Sequence, residues 1–388
     1  MKVLMTTFGR FHSFHLAREL AKRNALDRIV TAYPRFKVKN ELPKELIETF
    51  PFLRAPHLAL INNGITLPLK IERELEYQDR KTLGQYSSRF FKDQDFYIGQ
   101  SSTGLETARK AVRAGSKFIC DRGSTHILIQ DRLLRQEYER WNVPYHQIDT
   151  RVIDRELEEY ELATAISVPS NFAADSFIAM GVDSKKVKTI AYGVDSSFFA
   201  LDLGDSERHQ NVILCVGNFS VRKGVFDLLM AFRNLQAKTM KLVFVGNRDD
   251  KAWHIASKLG LISELVEWVG PQSRERLLSY YQSATLMVLP SIEEGQALVV
   301  AEAMSTGCPV IVSTSTGASD FIFHGENGFL FEARDQEALS NLMNRLCTDR
   351  SLQSAIGSSA RGTALNFGNW SAYGDSYFAL LQQISADE

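Results

Sequence analysis

Short strand-like apolar runs alternate with amphipathic helical stretches along almost all of the 388 residues of this chain. Such alternation is typical of a parallel sheet covered by helices, because parallel strands are joined by crossovers that usually contain a helix. The pattern occurs twice, and each half starts with a strand that runs into a glycine, at Gly9 and at Gly217. We therefore predict an α/β fold with two Rossmann-like, doubly wound parallel-sheet domains and a cleft between them.

The expected domain joint is the polar segment 196–210, which has no hydrophobic periodicity. It gives a first domain over 1–200, a second over 201–367 and a final helix over 368–388 that packs back on the first domain. The proline-containing stretch 34–92 is less regular and is expected to decorate the binding edge. The predicted strands are 3–8, 28–32, 96–99, 117–120, 166–168, 187–191, 212–216, 241–245, 265–269, 286–289 and 310–312.

Composition describes an ordinary soluble globular protein, with 44% hydrophobic and 23% charged residues. A formal net charge of −1 gives no reason to expect nucleic acid as a partner. No apolar run suits a signal peptide or a membrane span, so we expect a cytoplasmic protein whose contact with a membrane, if any, is peripheral at its inner face. Without metal-ligand spacing, the four cysteines are expected to be reduced core thiols: Cys120, Cys215, Cys308 and Cys347.

A candidate phosphate site follows the fourth predicted strand of the second half. A tight turn at Gly295 leads to a helix predicted to begin near Gln296 or Ala297, and the free N–H groups and positive dipole of a helix start favour anions. Glu294 lies in this turn, and Glu302 follows inside an apolar stretch where an unpartnered carboxylate is costly. Solvated or lysine-paired glutamates are the alternative, but this combination suits a sugar nucleotide, whose diphosphate needs donors and whose hydroxyls need acceptors.

A basic loop follows the first strand of the second half, over 217–224. Arg222 can fork to two phosphate oxygens and Lys223 adds a point charge, so the loop suits a diphosphate. A solvated basic loop is the alternative, and the facing phosphate-suited turn makes it less favoured. The single glycine at Gly9 does not make a dinucleotide fingerprint, which disfavours a nicotinamide-dependent oxidoreductase.

Histidines in the first half are further candidates. The polar loop 121–126 precedes a helix predicted to start near Ile127, and His126 within it can exchange a hydrogen bond with a sugar hydroxyl or an incoming nucleophile. A capping role for His126 is the alternative. For His12 and His15, surface exposure or helix packing is the expectation.

With these residues in place, the chain resembles the retaining glycosyltransferases of the GT-B fold known as family 4, over nearly its whole length. The matching segments in the second half are the strand–glycine–Arg-Lys-Gly loop, the Pro-Ser before the paired glutamates, Glu-Ala-Met at 302–304, Gly-Cys-Pro-Val at 307–310 and Gly-Glu-Asn-Gly-Phe at 325–329. In the first half they are 121–126, 168–170 and 192–195. The chain departs from the family at Gln296, which replaces an aromatic residue, and at 317–320, and both positions touch donor recognition.

The resemblance implies an acceptor-binding first domain and a second domain that binds a nucleotide sugar. It implies that Glu294 holds hydroxyls of the donor sugar, that Glu302 holds the ribose and that His126 lies near the sugar and the acceptor. The expected catalytic residues are His126, Glu294, Arg222 and Lys223. The expected donor-binding residues are Gly9, Gly217, Asn218, Arg222, Lys223, Gly246, Glu294, Gly295, Gln296, Ala297, Leu298 and Glu302.

The expected function is transfer of a sugar from a nucleoside-diphosphate sugar to a hydroxyl acceptor, which is a glycan, a glycolipid or a small metabolite. Retention of configuration comes from the resemblance, and cations with helix-end amides would stabilise the leaving group without a metal or other cofactor. A catalytically idle sugar-nucleotide binder and a sugar-nucleotide hydrolase or epimerase are the alternatives. One basic and apolar segment could either pack internally or rest on an anionic membrane that carries a lipid-linked glycan: Arg35, Lys37, Lys39, Lys44, Phe50, Phe52, Leu53, Leu58 and Leu60.

Overall fold

The protein is described by a computed structural model over residues 1–62, 67–200, 211–237 and 239–386. Within these residues, two separate sheets are present and all of their strand pairings are parallel. The first sheet contains β1 Val3–Thr7, β2 Leu26–Thr31, β3 Ile47–Thr49, β4 Phe96–Gln100, β5 Lys117–Asp121, β6 Ala165–Val168 and β7 Val187–Thr189. The second contains β8 Val212–Val216, β9 Lys241–Val245, β10 Val266–Trp268, β11 Leu286–Leu289, β12 Val310–Ser313 and β13 Phe329–Phe331.

The strand orders are those of doubly wound sheets, β3-β2-β1-β4-β5-β6-β7 and β10-β9-β8-β11-β12-β13. The central strands β1, β11 and β12 are buried at every residue. Helices cover both faces of a parallel sheet, so such strands are apolar on both sides instead of alternating. This architecture is the predicted pair of Rossmann-like domains, the GT-B fold.

Helices on both faces complete the two domains. In the first domain these are α1 Phe11–Lys22, α2 Arg35–Val38, α3 Arg54–Asn62, α4 Leu69–Ser87, α5 Leu105–Arg113, α6 Ile127–Arg140, α7 Thr150–Leu162 and α8 Asn171–Ala179, with α9 Ser196–Phe199 after β7. The second domain contributes α10 Val225–Arg233, α11 Asp250–Lys258, α12 Arg274–Ser283, α13 Leu298–Ser305, α14 Gln336–Thr348 and α15 Arg350–Leu365, and α16 Trp370–Ala386 ends the described chain.

The C-terminal helix α16 packs on α1 of the first domain. Tyr377 and Leu381 are buried in the same apolar cluster as Phe14 of α1. The two helices approach closely at Gly374, where an added Cβ would lie 2.4 Å from the Cβ of Glu19. A glycine at this position therefore sets the distance between α16 and the first domain.

The structure differs from the sequence-based expectations mainly at the ends of elements. The edge strands β3 and β13 were not predicted, whereas the equally short β7 and β10 lie within predicted five-residue runs. Helix α13 begins at Leu298, since Ala297 has a left-handed backbone with φ 63° that a helix cannot include. The expected polar joint is helical at its start, in α9, where Phe199 is 1% exposed. Residues 201–210 of that joint lie outside the described residues.

The stretch 34–92 is more regular than expected, because α4 alone runs for 19 residues. Of its apolar residues, Phe52 is 70% exposed, whereas Phe50 stacks on Tyr86. All four cysteines are free thiols, and three of them are buried. In the part of the chain that the structure covers, no helix combines the length and apolarity needed to cross a bilayer.

We expect the change Gly374→Ala to lower the free energy of unfolding by about 1–3 kcal/mol, because the added methyl group overpacks the contact between α16 and α1. Gly362→Ala is the matched control. It adds the same group to exposed space in α15, where nothing lies within 4 Å, and there alanine stabilises a helix slightly. Urea unfolding monitored by circular dichroism measures both variants, and equal stability of the two would contradict the described packing.

Candidate functional site

A cleft of about 1920 Å³ lies between the two domains and is lined by the loops that follow strands of both sheets. The first domain contributes the segments after β1, β4 and β5, and the second contributes those after β8, β9 and β11. Ligands bind at this edge in open parallel sheets, because the loops after strands converge there. Arg222, Lys223, Glu294 and Glu302 all line this one cleft.

Lys223 and Glu294 form an ion pair in the cleft, between Nζ and Oε2. Both side chains are partly exposed, at 17% and 21%, so each remains accessible to a ligand. Glycines behind Lys223 make room for it. A Cβ at Gly217 would lie 3.1 Å from Cε of Lys223, and Gly246 in turn lies against the backbone of Gly217.

Glu302 is partnered, as its apolar surroundings require. Its Oε2 accepts a hydrogen bond from the Tyr281 hydroxyl at 3.0 Å. Burial raises the pKa of Glu302, and the hydrogen bond from Tyr281 acts in the opposite direction. Arg274 also lines the cleft and forms an ion pair with Asp195 at 2.7 Å, between Nη2 and Oδ2. Arg274 begins α12 after a strand of only three residues and was not among the predicted site residues.

Arg222 is paired with the carboxylate of Glu293, a residue that the sequence analysis passed over. Nη2 of Arg222 lies 2.8 Å from Oε2 of Glu293, and Nε donates to the Glu293 carbonyl at 3.1 Å. The backbone also joins these two loops, because Ile292 donates its N–H to the Arg222 carbonyl at 2.9 Å. The adjacent residues Glu293 and Glu294 therefore pair with the adjacent cations Arg222 and Lys223.

The Glu293 carboxylate is fully buried and links the two domains. It accepts hydrogen bonds from Ser124 Oγ at 2.5 Å, from Thr125 N–H at 3.0 Å and from Gln130 Nε2 at 3.0 Å, all in the first domain. Burial acts to raise the pKa of Glu293, but the charge of Arg222 and the hydrogen bonds outweigh it and lower the pKa to about 2. A buried carboxylate with this many donors stays ionised at neutral pH.

Gln296 also holds the domains together. Its Oε1 accepts from the Tyr192 N–H, its Nε2 donates to the Tyr192 carbonyl at 3.0 Å, and it is 5% exposed. The amide is therefore occupied by backbone of the first domain, although the side chain reaches the cleft wall. Nearby, the Gly295 carbonyl accepts from Ser170 Oγ at 2.5 Å, and a Cβ at Gly295 would lie 2.1 Å from the Gly123 carbonyl oxygen. Only glycine fits this close approach.

His126 does not line the cleft. It caps α6, accepting from the Leu128 N–H at 3.3 Å, and its ring is 3% exposed between Tyr160 and Phe177. Burial, with the charge of Arg122, lowers the pKa of His126 to about 4. The capping alternative is the one that the structure shows, and the expected contact of His126 with a sugar is not supported by its position.

His12 lies on the wall of the cleft. Its Nε2 lies 2.7 Å from Oδ2 of Asp121, and its ring stacks on Tyr192 at a centroid distance of 4.2 Å. The ring lines the cleft although it is only 7% exposed. The sequence predicts surface exposure or helix packing for His12, and its ring is indeed packed against Tyr192; the contact with Asp121 joins residues 109 positions apart and has no local signal.

The remaining predicted residues divide into two groups. Ala297 and Leu298 line the cleft at the start of α13, where first-turn N–H groups lack partners within the helix. The others lie just behind the cleft wall or beside it, and Asn218 is exposed to solvent. This second group comprises Gly9, Gly217, Asn218, Gly246 and Gly295.

Residues 204–363 match the family model of glycosyl transferases group 1. The matched residues cover most of the second domain. An uncharacterized glycosyltransferase of Methanocaldococcus jannaschii is 26% identical over 55% of this chain and 58% of its own length. The lipopolysaccharide 1,2-N-acetylglucosaminetransferase of Salmonella typhimurium is 29% identical over 48% and 53%.

The chain spans about half the length of these curated relatives. Among solved structures, Anabaena HepE in complex with UDP and glucose superposes with a TM-score of 0.71 and 18% identity, over 99% of this chain and 100% of that one. At this identity the likeness shows a shared fold. The two-domain arrangement of this chain is therefore that of the Anabaena protein.

We expect the change Glu293→Gln to lower the free energy of unfolding by about 2 kcal/mol at pH 7, because Arg222 loses its charged partner. The folded-state pKa of about 2 lies below the ordinary 4.5, so this stabilisation is complete above about pH 5 and is lost as the pH falls towards 2. The difference between wild type and variant should therefore shrink over that range. Urea unfolding at a series of pH values measures it.

Glu264→Gln, at an exposed position, is the control for that experiment. Its stability should follow that of the wild type at every pH. A gap between wild type and Glu293→Gln that stays constant from pH 7 to pH 2 would show that the Glu293 carboxylate does not carry the stabilisation described above.

Proposed function

We propose that the protein is a retaining, metal-independent glycosyltransferase that moves a sugar from a nucleoside-diphosphate sugar to a hydroxyl acceptor. The observation that carries this proposal is the convergence of Lys223, Glu294 and Glu302 in one cleft beside the start of α13. These groups supply cations and amides for a diphosphate and carboxylates for hydroxyls. A UDP-sugar is the first donor to test, because the similar Anabaena protein was solved with UDP and with UDP-glucose.

In this proposal the cations of the second domain stabilise the departing nucleoside diphosphate. Cleavage of the anomeric bond builds negative charge on the diphosphate, and fixed cations and helix-end amides stabilise that charge in the transition state. Lys223 is the cation at hand, because Glu294 holds it in the cleft at a partly exposed position. Donor binding would place the diphosphate on Lys223 and leave Glu294 free to accept hydrogen bonds from sugar hydroxyls.

In this proposal Arg222 both pairs with Glu293 and binds a phosphate. Glu293 and Ser124 already occupy part of its guanidinium. Its side chain is 38% exposed, so the remaining N–H groups are free to reach a phosphate oxygen. Arg274, at the start of α12, adds a further cation on the side of Glu302. His12, held by Asp121, is the histidine placed to meet the transferred sugar from the first domain.

We expect Lys223→Gln to weaken binding of the preferred UDP-sugar by about 10- to 100-fold, because a hydrogen bond to a charged group contributes about 1.5–3 kcal/mol. Thermal-shift screening against UDP-, GDP- and ADP-sugars identifies the donor, and isothermal titration of that donor measures the variant. A donor at a hundredfold excess over its Kd should stabilise the wild type by about 2.7 kcal/mol. Lys258→Gln, at an exposed position of α11 outside the cleft, should bind like the wild type.

Unchanged affinity in Lys223→Gln would remove Lys223 from the donor site. An absence of stabilisation by every nucleotide sugar would count against the proposed function as a whole.

We expect an α-configured donor to yield an α-configured product, at a rate that 5 mM EDTA does not change. Proton NMR of the product reports the anomeric configuration, and release of nucleoside diphosphate reports the rate with and without acceptor. A β-configured product would refute retention, and loss of activity in EDTA would refute metal independence. Donor turnover of equal rate without any acceptor would instead favour the hydrolase.

A further inference from the structure

The first-domain wall of the cleft carries cations that the proposed donor site does not use. Arg73 and Arg80 lie seven residues apart on α4, and therefore on the same face of that helix, and both line the cleft. Glu72 and Glu76 share this face and also line the cleft. His57 reaches the same wall from α3. The wall thus offers guanidinium groups and carboxylates side by side, opposite the loops of the second domain.

Arg80 is held in place by neutral groups only. Its Nε donates to Ser102 Oγ at 3.2 Å, its Nη1 donates to the Glu76 carbonyl at 2.8 Å, and its guanidinium lies 5.3 Å from the centre of the Phe8 ring. Over the described ranges of the chain, no carboxylate lies within ion-pair distance of Arg80. Burial lowers the pKa of Arg80, because the attraction of Glu76 and Glu156 is too distant to offset desolvation. The carboxylates of Glu76, Glu156 and Asp79 therefore act on Arg80 only from beyond ion-pair distance.

The partner of Arg80 is itself rigidly built. Ser102 has a left-handed backbone with φ 70°, a conformation that a residue other than glycine keeps only when its surroundings enforce it. Here Glu159 accepts from the Ser102 N–H at 2.6 Å, and Arg155 Nε donates to the Ser102 carbonyl at 3.3 Å. Both side chains are buried. The loop after β4 is thus held in the geometry that orients Arg80 towards the cleft.

Unpartnered buried groups lie on the same wall. His57 is 4% exposed, and neither of its ring nitrogens has a hydrogen-bond partner among the residues that the structure describes. The same holds for Nε of Arg73, although its Nη2 donates to the Gln147 carbonyl at 3.2 Å. Burial of a polar group without a partner costs about 1–3 kcal/mol. These nitrogens are shielded from solvent although their residues line the cleft, so a ligand that supplies the missing acceptor reaches them after a shift of the side chain.

We propose that Arg80, Arg73 and His57 form a subsite for a phosphate group carried by the acceptor. Guanidinium groups bind phosphate through paired N–H donors, and a histidine adds one more donor. Glu72 and Glu76 on the same face would accept hydrogen bonds from the hydroxyls of that acceptor. The role of this subsite depends on the proposed function. It would hold a phosphorylated acceptor so that it faces the donor, which Lys223 of the second domain binds. The phosphate is either a phosphomonoester on a sugar or a diphosphate that joins a sugar to a lipid.

The experiment distinguishes phosphate binding by the first domain from phosphate binding by the second, using substitutions in each. Lys223→Gln removes the second-domain cation that is proposed to bind the donor diphosphate, and binding of glucose 6-phosphate to this variant is measured by phosphorus NMR titration. We expect affinity within threefold of the wild type, and at least tenfold weaker binding once Arg80→Gln is added. Arg113→Gln, which changes an exposed arginine of α5 outside the cleft, is the matched control and should have no effect. Farnesyl diphosphate in a parallel titration distinguishes a lipid diphosphate from a sugar phosphate.

Two outcomes would overturn the subsite. In one, Lys223→Gln alone abolishes binding of both probes; in the other, Arg80→Gln leaves both affinities within twofold. Arg73→Gln, at a partly exposed position, repeats the test if Arg80→Gln does not fold, and the same tenfold loss is expected. Failure of the proposed function is seen separately: we expect Arg80→Gln to bind UDP-sugar like the wild type, and phosphate binding on the first domain does not require transfer.

Discussion

The buried Glu293 carboxylate is the contact on which the relation between the two domains depends. It accepts hydrogen bonds from Ser124, Thr125 and Gln130 of the first domain and pairs with Arg222 of its own domain. A buried charge is costly unless every site around it is satisfied, so this contact holds only with the domains in one relative position. The walls of the cleft, and therefore the distance between cations and carboxylates across it, follow from that position.

The turn after β11 combines a structural and a functional carboxylate in adjacent residues. Glu293 points into the domain interface and is fully buried, whereas Glu294 points into the cleft and remains partly exposed. The matching cations, Arg222 and Lys223, are adjacent in the loop after β8. Each of these cations forms an ion pair with a carboxylate. Any anionic ligand must therefore compete with Glu294 for Lys223, which favours ligands that also offer hydroxyl groups to the released carboxylate.

Much of the fold could be predicted from the sequence, because its central strands are apolar at nearly every residue. Strand β8 and strand β11 were predicted with the bounds that the structure shows. The edge strands β3 and β13 were missed, while β7 and β10, which are equally short, lie within longer predicted runs. The start of α13 could not be predicted either, because it depends on the left-handed backbone of Ala297 and not on any residue type.

The candidate site was predicted on the second domain more fully than on the first. Lys223, Glu294 and Glu302 were found because each follows a strand or lies within one short motif, where local order already brings residues together. His12 and His126 show the opposite case. His126 lies in a polar loop that follows a strand, which favoured it as a site residue. Its side chain instead caps α6, and it is buried in the core.

The sequence by itself determined the two parallel sheets and the cationic and acidic loops at their carboxyl ends, because apolar periodicity and strand–loop–helix order are local properties. Only the tertiary structure decided which glutamate bridges the domains, that Gln296 binds the backbone of Tyr192, and that His12 meets Asp121. These contacts join residues more than a hundred positions apart. Their partners are selected by the packing of one domain on the other, which no local pattern records.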